Sequence, residues 1–108
     1  MAELDRKLLY GNTEALVLAL LAERPDYGYQ IQRELRHRSR HAIQFAFGRL
    51  YPMLHRMQRR GWVRSRRVKG VIGPERREYH LTREGRAELA LRRRKWKAFY
   101  AAMHRILG

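Results

Sequence analysis

Residues 48–82 constrain the fold more than any other stretch of the chain. Gly48-Arg49-Leu50-Tyr51-Pro52 lies on a short, basic, amphipathic helical pattern, and Gly61 supplies its stop. A strand-like run over 62–68 follows. The tip Lys69-Gly70-Val71-Ile72-Gly73-Pro74-Glu75 turns the chain, and residues 76–81 read as a returning strand. A helix, a tight stop and a basic two-stranded hairpin form a compact unit. Such a unit can set a helix into a DNA groove and brace the backbone beside it.

The charge points the same way. The chain carries 25 Lys/Arg against 10 Asp/Glu, a net charge of +15 in 108 residues. Residues 33–77 alone hold 14 of those cations against only Glu34 and Glu75, a local balance of +12. A merely soluble surface does not need that concentration, so a polyanion is the expected partner. Apolar residues make up 44% of the chain, a globular composition. A chain of this length forms one domain of ordinary size and buries roughly 60–70% of its unfolded surface. The core is therefore modest, and a subunit interface would add to it.

Other classes are disfavoured. There is no cysteine, hence no disulfide framework and no thiolate metal site. The longest apolar run, residues 15–22, has eight residues, whereas a membrane span takes about 20. The first seven residues mix charges and lead to no cleavage site. A cytoplasmic protein without a membrane partner is expected. His37 and His41 are four apart, but arginines surround them and no acid or thiolate joins them, so no metal is expected. No nucleophile–base pair, phosphate loop or carboxylate pair stands out. The chain reads as a non-enzyme without a cofactor.

Periodicity orders the rest. A polar arm over 1–12 precedes a first helix over about 13–22, with Leu16, Val17, Leu20 and Leu21 as its apolar stripe. Arg24-Pro25-Asp26 breaks it, and Asp26 is a candidate cap for a second helix over about 27–37, where Tyr27, Ile31 and Leu35 share a face. A third helix over about 45–60 turns Phe47, Leu50, Leu54 and Met57 inward. Phe45, Gly48, Pro52, His55 and Arg59 fall on the opposite side, with Arg49 and Arg56 on one shoulder and Gln44 and Tyr51 on the other. Pro52 removes one helical hydrogen bond, a local rule broken inside an otherwise good helix. Thr82 caps a long last helix. Leu89, Trp96 and Met103 recur every seven residues there, with Phe99, Tyr100, Ile106 and Leu107 between, and the stripe has no evident partner within so small a domain.

These segments, in this order, closely resemble the PadR family of bacterial transcriptional regulators. The resemblance rests on Leu16-Val17-Leu18-Ala19-Leu20-Leu21, Tyr27-Gly28-Tyr29-Gln30-Ile31, Gly48-Arg49-Leu50-Tyr51-Pro52-Met53-Leu54, Gly61, and Arg77-Glu78-Tyr79-His80-Leu81-Thr82-Arg83-Glu84-Gly85, and it covers about residues 10–107. It implies a mainly α fold with a small β-hairpin: a winged helix-turn-helix over 1–82, and a dimerisation helix over 83–108 as in the compact branch of the family. It also implies a homodimeric repressor on a roughly palindromic, double-stranded operator. The last helix of that branch is expected to dimerise, here through Leu89, Trp96, Phe99, Met103, Ile106 and Leu107. Some compact members sandwich flat aromatic drugs between paired tryptophans, and Trp96 lies where such a tryptophan is expected. Phe99 and Tyr100 then complete an effector site.

The residues keep their alternatives. Gln44, Phe45, Gly48, Arg49, Tyr51, Pro52, His55 and Arg56 are the candidates on the third helix, and Arg66, Arg67, Lys69, Arg76 and Arg77 those on the wing. Arg49 suits a guanine edge or a phosphate, and Gln44 suits adenine. Arg49 and Arg56 also suit a solvated face, although the whole pattern favours DNA contact by at least one of them. The Tyr51 hydroxyl can meet a phosphate or its ring can pack on the second helix. Strand alternation prevents every wing cation from reaching one partner. Trp96 suits a planar ligand or plain interface packing. Arg92-Arg93-Arg94-Lys95 suits an anionic ligand, further phosphates or solvent. Phe45-Ala46-Phe47 stands where relatives carry small or polar residues, so an operator sequence does not transfer. The rival function is a non-specific nucleoid-type or RNA-binding protein.

Overall fold

The computed structural model describes residues 9, 11–70 and 76–108, with the backbone alone at Phe47. Helix α1 (Thr13–Glu23) draws on an Ala/Leu-rich run of strong helix formers and ends where Pro25 forces Arg24 into an extended conformation, φ −168° and ψ 154°. Its burial is wider than one stripe. Val17, Leu18 and Leu21 lie fully inside, while Leu16, Ala19, Leu20 and Ala22 pack around the core's edge. Leu18, outside the expected stripe, is thus fully buried, while Leu16 and Leu20 of that stripe are only partly so, because α1 is covered by neighbours on more than one side.

Asp26 does not cap the second helix. Its carboxylate accepts from the Tyr27 N–H at 2.9 Å, and Asp26–Tyr27 forms a short strand, β1. Helix α2 (Gly28–Arg38) follows, burying Ile31 and Leu35. The Arg38 guanidinium ties it to α1 through Glu23 at 2.6 Å and bonds Glu34 at 2.8 Å. In the turn beyond, Arg40 and His41 have φ of 52° and 67°. The Ser39 hydroxyl organises that turn, donating to the Leu35 carbonyl at 2.7 Å and accepting from the Ile43 N–H at 2.9 Å.

Helix α3 (Phe47–Arg59) buries Leu50, Met53, Leu54 and Met57 at helical spacing. Gly61, at φ 79°, takes the left-handed conformation that closes it. The Trp62 N–H then reaches back to the Met57 carbonyl at 3.0 Å. Strands β2 (Val63–Val68) and β3 (Arg76–Leu81) pair antiparallel from Val63↔Leu81 to Val68↔Arg76. Of the expected turn over 69–75, residues 71–75 lie outside the described residues. The sheet has three strands in the order β1-β3-β2, not two.

Helix α4 (Arg83–Leu107) starts at Thr82, whose hydroxyl oxygen accepts from the Gly85 N–H at 3.0 Å. Its first turns belong to the core. A Cβ on Gly85 would collide with the Trp62 carbonyl, and Leu89 is only 4% exposed among the apolar side chains of the other helices and the sheet. Leu89 therefore does not join the exposed stripe to which its spacing assigned it. Beyond it α4 leaves the body, and the molecule measures 53 × 33 × 21 Å. Among the described residues no helix is long and apolar enough to cross a membrane.

Candidate nucleic-acid interface

Helix α3 presents a ridge of Gly48, Pro52, His55 and Arg59 directly away from its buried side. Arg49 and Arg56 form one shoulder and Tyr51 and Gln58 the other. Among the described residues Arg49, Arg56 and Arg59 form neither an ion pair nor a side-chain hydrogen bond, and α3 contains no acid. Gly48 has open space where a Cβ would stand, so packing does not explain its lack of a side chain. Pro52 has no N–H to give, which leaves the Gly48 carbonyl without its helical partner. No side chain caps the α3 N-terminus, and its free N–H groups add to the positive field there.

The approach to α3 is held from behind. The Gln32 side-chain amide donates to the Phe45 carbonyl at 2.6 Å. Phe45 precedes the helix rather than opening it, and its ring is half-buried against the core. It does not point outward, because the helical spacing used to place it does not extend that far. Gln44 is exposed in the same loop, with its side-chain amide on the His41 carbonyl at 3.1 Å.

The wing stands beside the Tyr51 and Gln58 shoulder. Ser65 donates to the Gln58 side-chain oxygen at 2.9 Å, which turns the face of Val63, Ser65 and Arg67 toward α3. The β3 residues in register, Arg77, Tyr79 and Leu81, share that face. Arg77 donates to Ser65 at 3.3 Å. Tyr79 is buried and hydrogen-bonded to Tyr51. Burial first, and the Tyr51 neighbour second, push its phenol up to about 12. Tyr51 thus buttresses the wing against α3 while its ring stays 43% exposed.

Arg66 lies on the opposite face, paired with Glu78 at 3.0 Å. Burial disfavours the Glu78 charge, but hydrogen bonds from His80 and Arg66 prevail and hold its carboxyl below the usual range. Arg76 sits on that face too, with its guanidinium 5.8 Å from the Tyr27 ring centre. Lys69 is exposed at the end of β2. Arg77 and Arg76 also border a cleft of about 640 Å³ between the start of α2, α3 and β3, with Gly28, Tyr29, Gln30 and Tyr51 on its walls. Gln30 and Arg59 are not among the candidates that spacing gives, and Tyr29 reads there, like Tyr51, as either a phosphate contact or a packed ring. The cleft joins residues some fifty positions apart in sequence, and only pairing of β1 with β3 creates it.

Along α4, Trp96, Phe99, Tyr100, Met103, Ile106 and Leu107 are all exposed. Trp96 stacks on Tyr100 at 5.4 Å between ring centres, and Tyr100 on His104 at 5.9 Å. Arg92 behaves unlike the cations that follow it. It is largely enclosed and bonded to Glu88 and Glu14. His37 and His41 lie with ring centres 6.5 Å apart, but His41 is outside α2.

Known proteins share this geometry. A transcriptional regulator from Clostridium thermocellum superposes with a TM-score of 0.89 at 20% identity, over 97% of this chain and 99% of its own. A PadR family transcription regulator from Clostridium difficile gives 0.80 at 27% identity, over 91% of this chain and all of its own. PadR of Bacillus subtilis, solved in complex with operator DNA, gives 0.66 at 23% identity over 71% of this chain and 44% of its own. The sequence pattern of the transcriptional regulator PadR-like family matches residues 17–91, from the core of α1 through the buried start of α4. The chain belongs to the PadR-like family of transcriptional regulators.

Proposed function

We propose that this PadR-like regulator binds a roughly palindromic site on double-stranded DNA as a homodimer and acts as a repressor. Each α3 enters a major groove by its N-terminal half, and each wing lies on the adjoining backbone. The observation that carries this reading is the α3 ridge. It is cationic and free of acids, and at Gly48 it is stripped of a side chain for no reason internal to the fold. Arg49 and Arg56 flank the bases, with Gln44, Pro52 and His55 beside them. Arg67 and Arg77 face phosphates on the α3 side, Lys69 extends the wing, and Tyr29 and Arg76 line the cleft where a strand of backbone can run. Arg66 contributes field rather than contact. The operator complex of the Bacillus subtilis protein supports the partner class.

Residues 83–108 supply the dimer contact, through Trp96, Phe99, Met103, Ile106 and Leu107. So large an exposed apolar stripe on a single helix is a subunit surface. Trp96, Phe99 and Tyr100 offer flat, electron-rich faces to a small aromatic effector whose binding releases the operator. An effector shifts the equilibrium only by its preference for one dimer geometry over another. The protein works in the bacterial cytoplasm, on the nucleoid.

Selection from a randomised DNA pool at physiological salt, with bulk DNA as competitor, tests the central claim. Enrichment of an inverted repeat bound about 10³-fold above bulk is expected. Tight, salt-sensitive binding to every sequence would instead assign the protein to charge-driven packaging.

A further inference from the structure

We propose that Arg92 is a positioning residue that sets the spacing of the two operator half-sites, an inference that rests on the homodimeric reading above. Arg92 is the tenth of the 25 residues of α4, between the turns packed in the core and the turns that project from it. Its guanidinium donates to Glu88 at 2.7 Å on its own helix, and to Glu14 and the Gly11 carbonyl at the start of α1, each at 3.2 Å. It also stands 5.4 Å from the Trp62 ring centre. Arg60 lies 5.1 Å from the same ring and pairs with Glu14 at 3.8 Å. One cluster therefore joins the start of α1, the end of α3, the entry to β2 and the middle of α4. The planar guanidinium suits this role because it bonds in several directions while stacking on an indole.

Below Arg92 the helix cannot pivot freely. The Thr82 N–H donates to the Trp62 carbonyl at 3.0 Å, and Gly85 lies hard against that carbonyl. Among the described residues Arg92 is thus the last side chain of α4 that is hydrogen-bonded to another element. From there to Leu107 the helix continues for fifteen residues, ~22 Å at 1.5 Å per residue. A tilt of about 10° at Arg92 moves the far end by roughly 4 Å, close to the ~3.4 Å step of one base pair. The angle at which α4 leaves each winged helix fixes the separation of the two α3 helices. Arg92 is not a DNA contact here. Its ring of partners points inward, whereas Arg93 and Arg94 are exposed.

The test is binding to a DNA series in which one selected half-site is held constant and the spacer between two copies varies by single base pairs. Wild-type protein is expected to prefer one spacer at least about tenfold over its neighbours. Arg92→Gln should move that peak or flatten it below threefold, with the half-site sequence and the dimer mass unchanged. Glu14→Gln, which takes the charge from the α1 end of the tether and leaves the Gly11 carbonyl in place, should act in the same direction and serves as the measurement if Arg92→Gln fails to fold. Arg93→Gln should keep the wild-type profile. An unaltered, sharp peak in both tether variants overturns the proposal. Wild-type protein that retains single half-sites as well as pairs overturns the dimer reading itself, and with it this inference.

Discussion

Gly48 and Gly85 both lie within helices, and their surroundings are opposite. Gly48 faces empty space, so Gly48→Ala should leave the fold intact or gain about 0.5–1 kcal/mol from better helix propensity. The same change places a methyl group at the α3 surface. The expected outcome is undiminished stability in urea with weakened DNA binding in a gel-shift titration. Gly85→Ala should do the reverse. Its Cβ meets the Trp62 backbone, which cannot move aside as a flexible side chain would, and overpacking of this kind costs ~1–3 kcal/mol. Tyr79 adds a pH dependence. Its phenol is pushed up to about 12, above the ~10 of an unfolded tyrosine, so the folded state favours the protonated form. That contribution is complete below about pH 10 and is lost as pH rises toward 12. Urea titrations at several alkaline pH values should show a steeper decline for wild type than for Tyr79→Phe.

At the scale of elements, the proposed function divides the work of DNA binding between α3 and the wing. Arg49 stands on the α3 shoulder near the ridge, so Arg49→Ala should lose ~1–3 kcal/mol on the selected site and relax preference at one base position. Arg77 faces α3 from β3 and is suited to a phosphate. Arg77→Ala should weaken binding to all sequences alike and reduce the slope of log K against log[salt] by about 1. Competition against sites with single base changes, repeated at several salt concentrations, separates the two. The elements themselves were unequally legible. Helices α2, α3 and α4 announce themselves because an apolar residue every three or four positions is a local signal. Strand β1 has two residues, too few to alternate, and exists only because Tyr79 and Glu78 lie alongside it. Phe45 lies off its expected face for a related reason. Helical spacing places a side chain only where the helix exists, and α3 begins at Phe47.

The whole molecule is a winged helix with an apolar, aromatic helix projecting from it. Ile106 is 86% exposed and Phe99 60%, which a stable monomer does not favour. Phe99→Arg combined with Ile106→Arg should yield monomers by sedimentation, with the winged helix still folded and binding to a full inverted repeat reduced to that of a half-site. By itself the sequence determined the winged-helix order, the concentration of positive charge, the inward Leu50, Leu54 and Met57 and the outward Gly48, Pro52, His55 and Arg59 of α3, the Thr82 cap and the exposed aromatic helix. Each follows from neighbours in the chain, through helical periodicity, glycine stops or charge counting. Only the tertiary structure decided that Leu89 belongs to the core, that a third strand closes the sheet, that Arg67 and Arg77 face α3 while Arg66 turns to Glu78, and that Arg92 is a tether rather than one more surface cation. Those outcomes depend on which distant segments meet. A one-residue change of strand register reverses every side chain, and an arginine that reads as solvated becomes structural once Glu14 and Trp62 are folded against it.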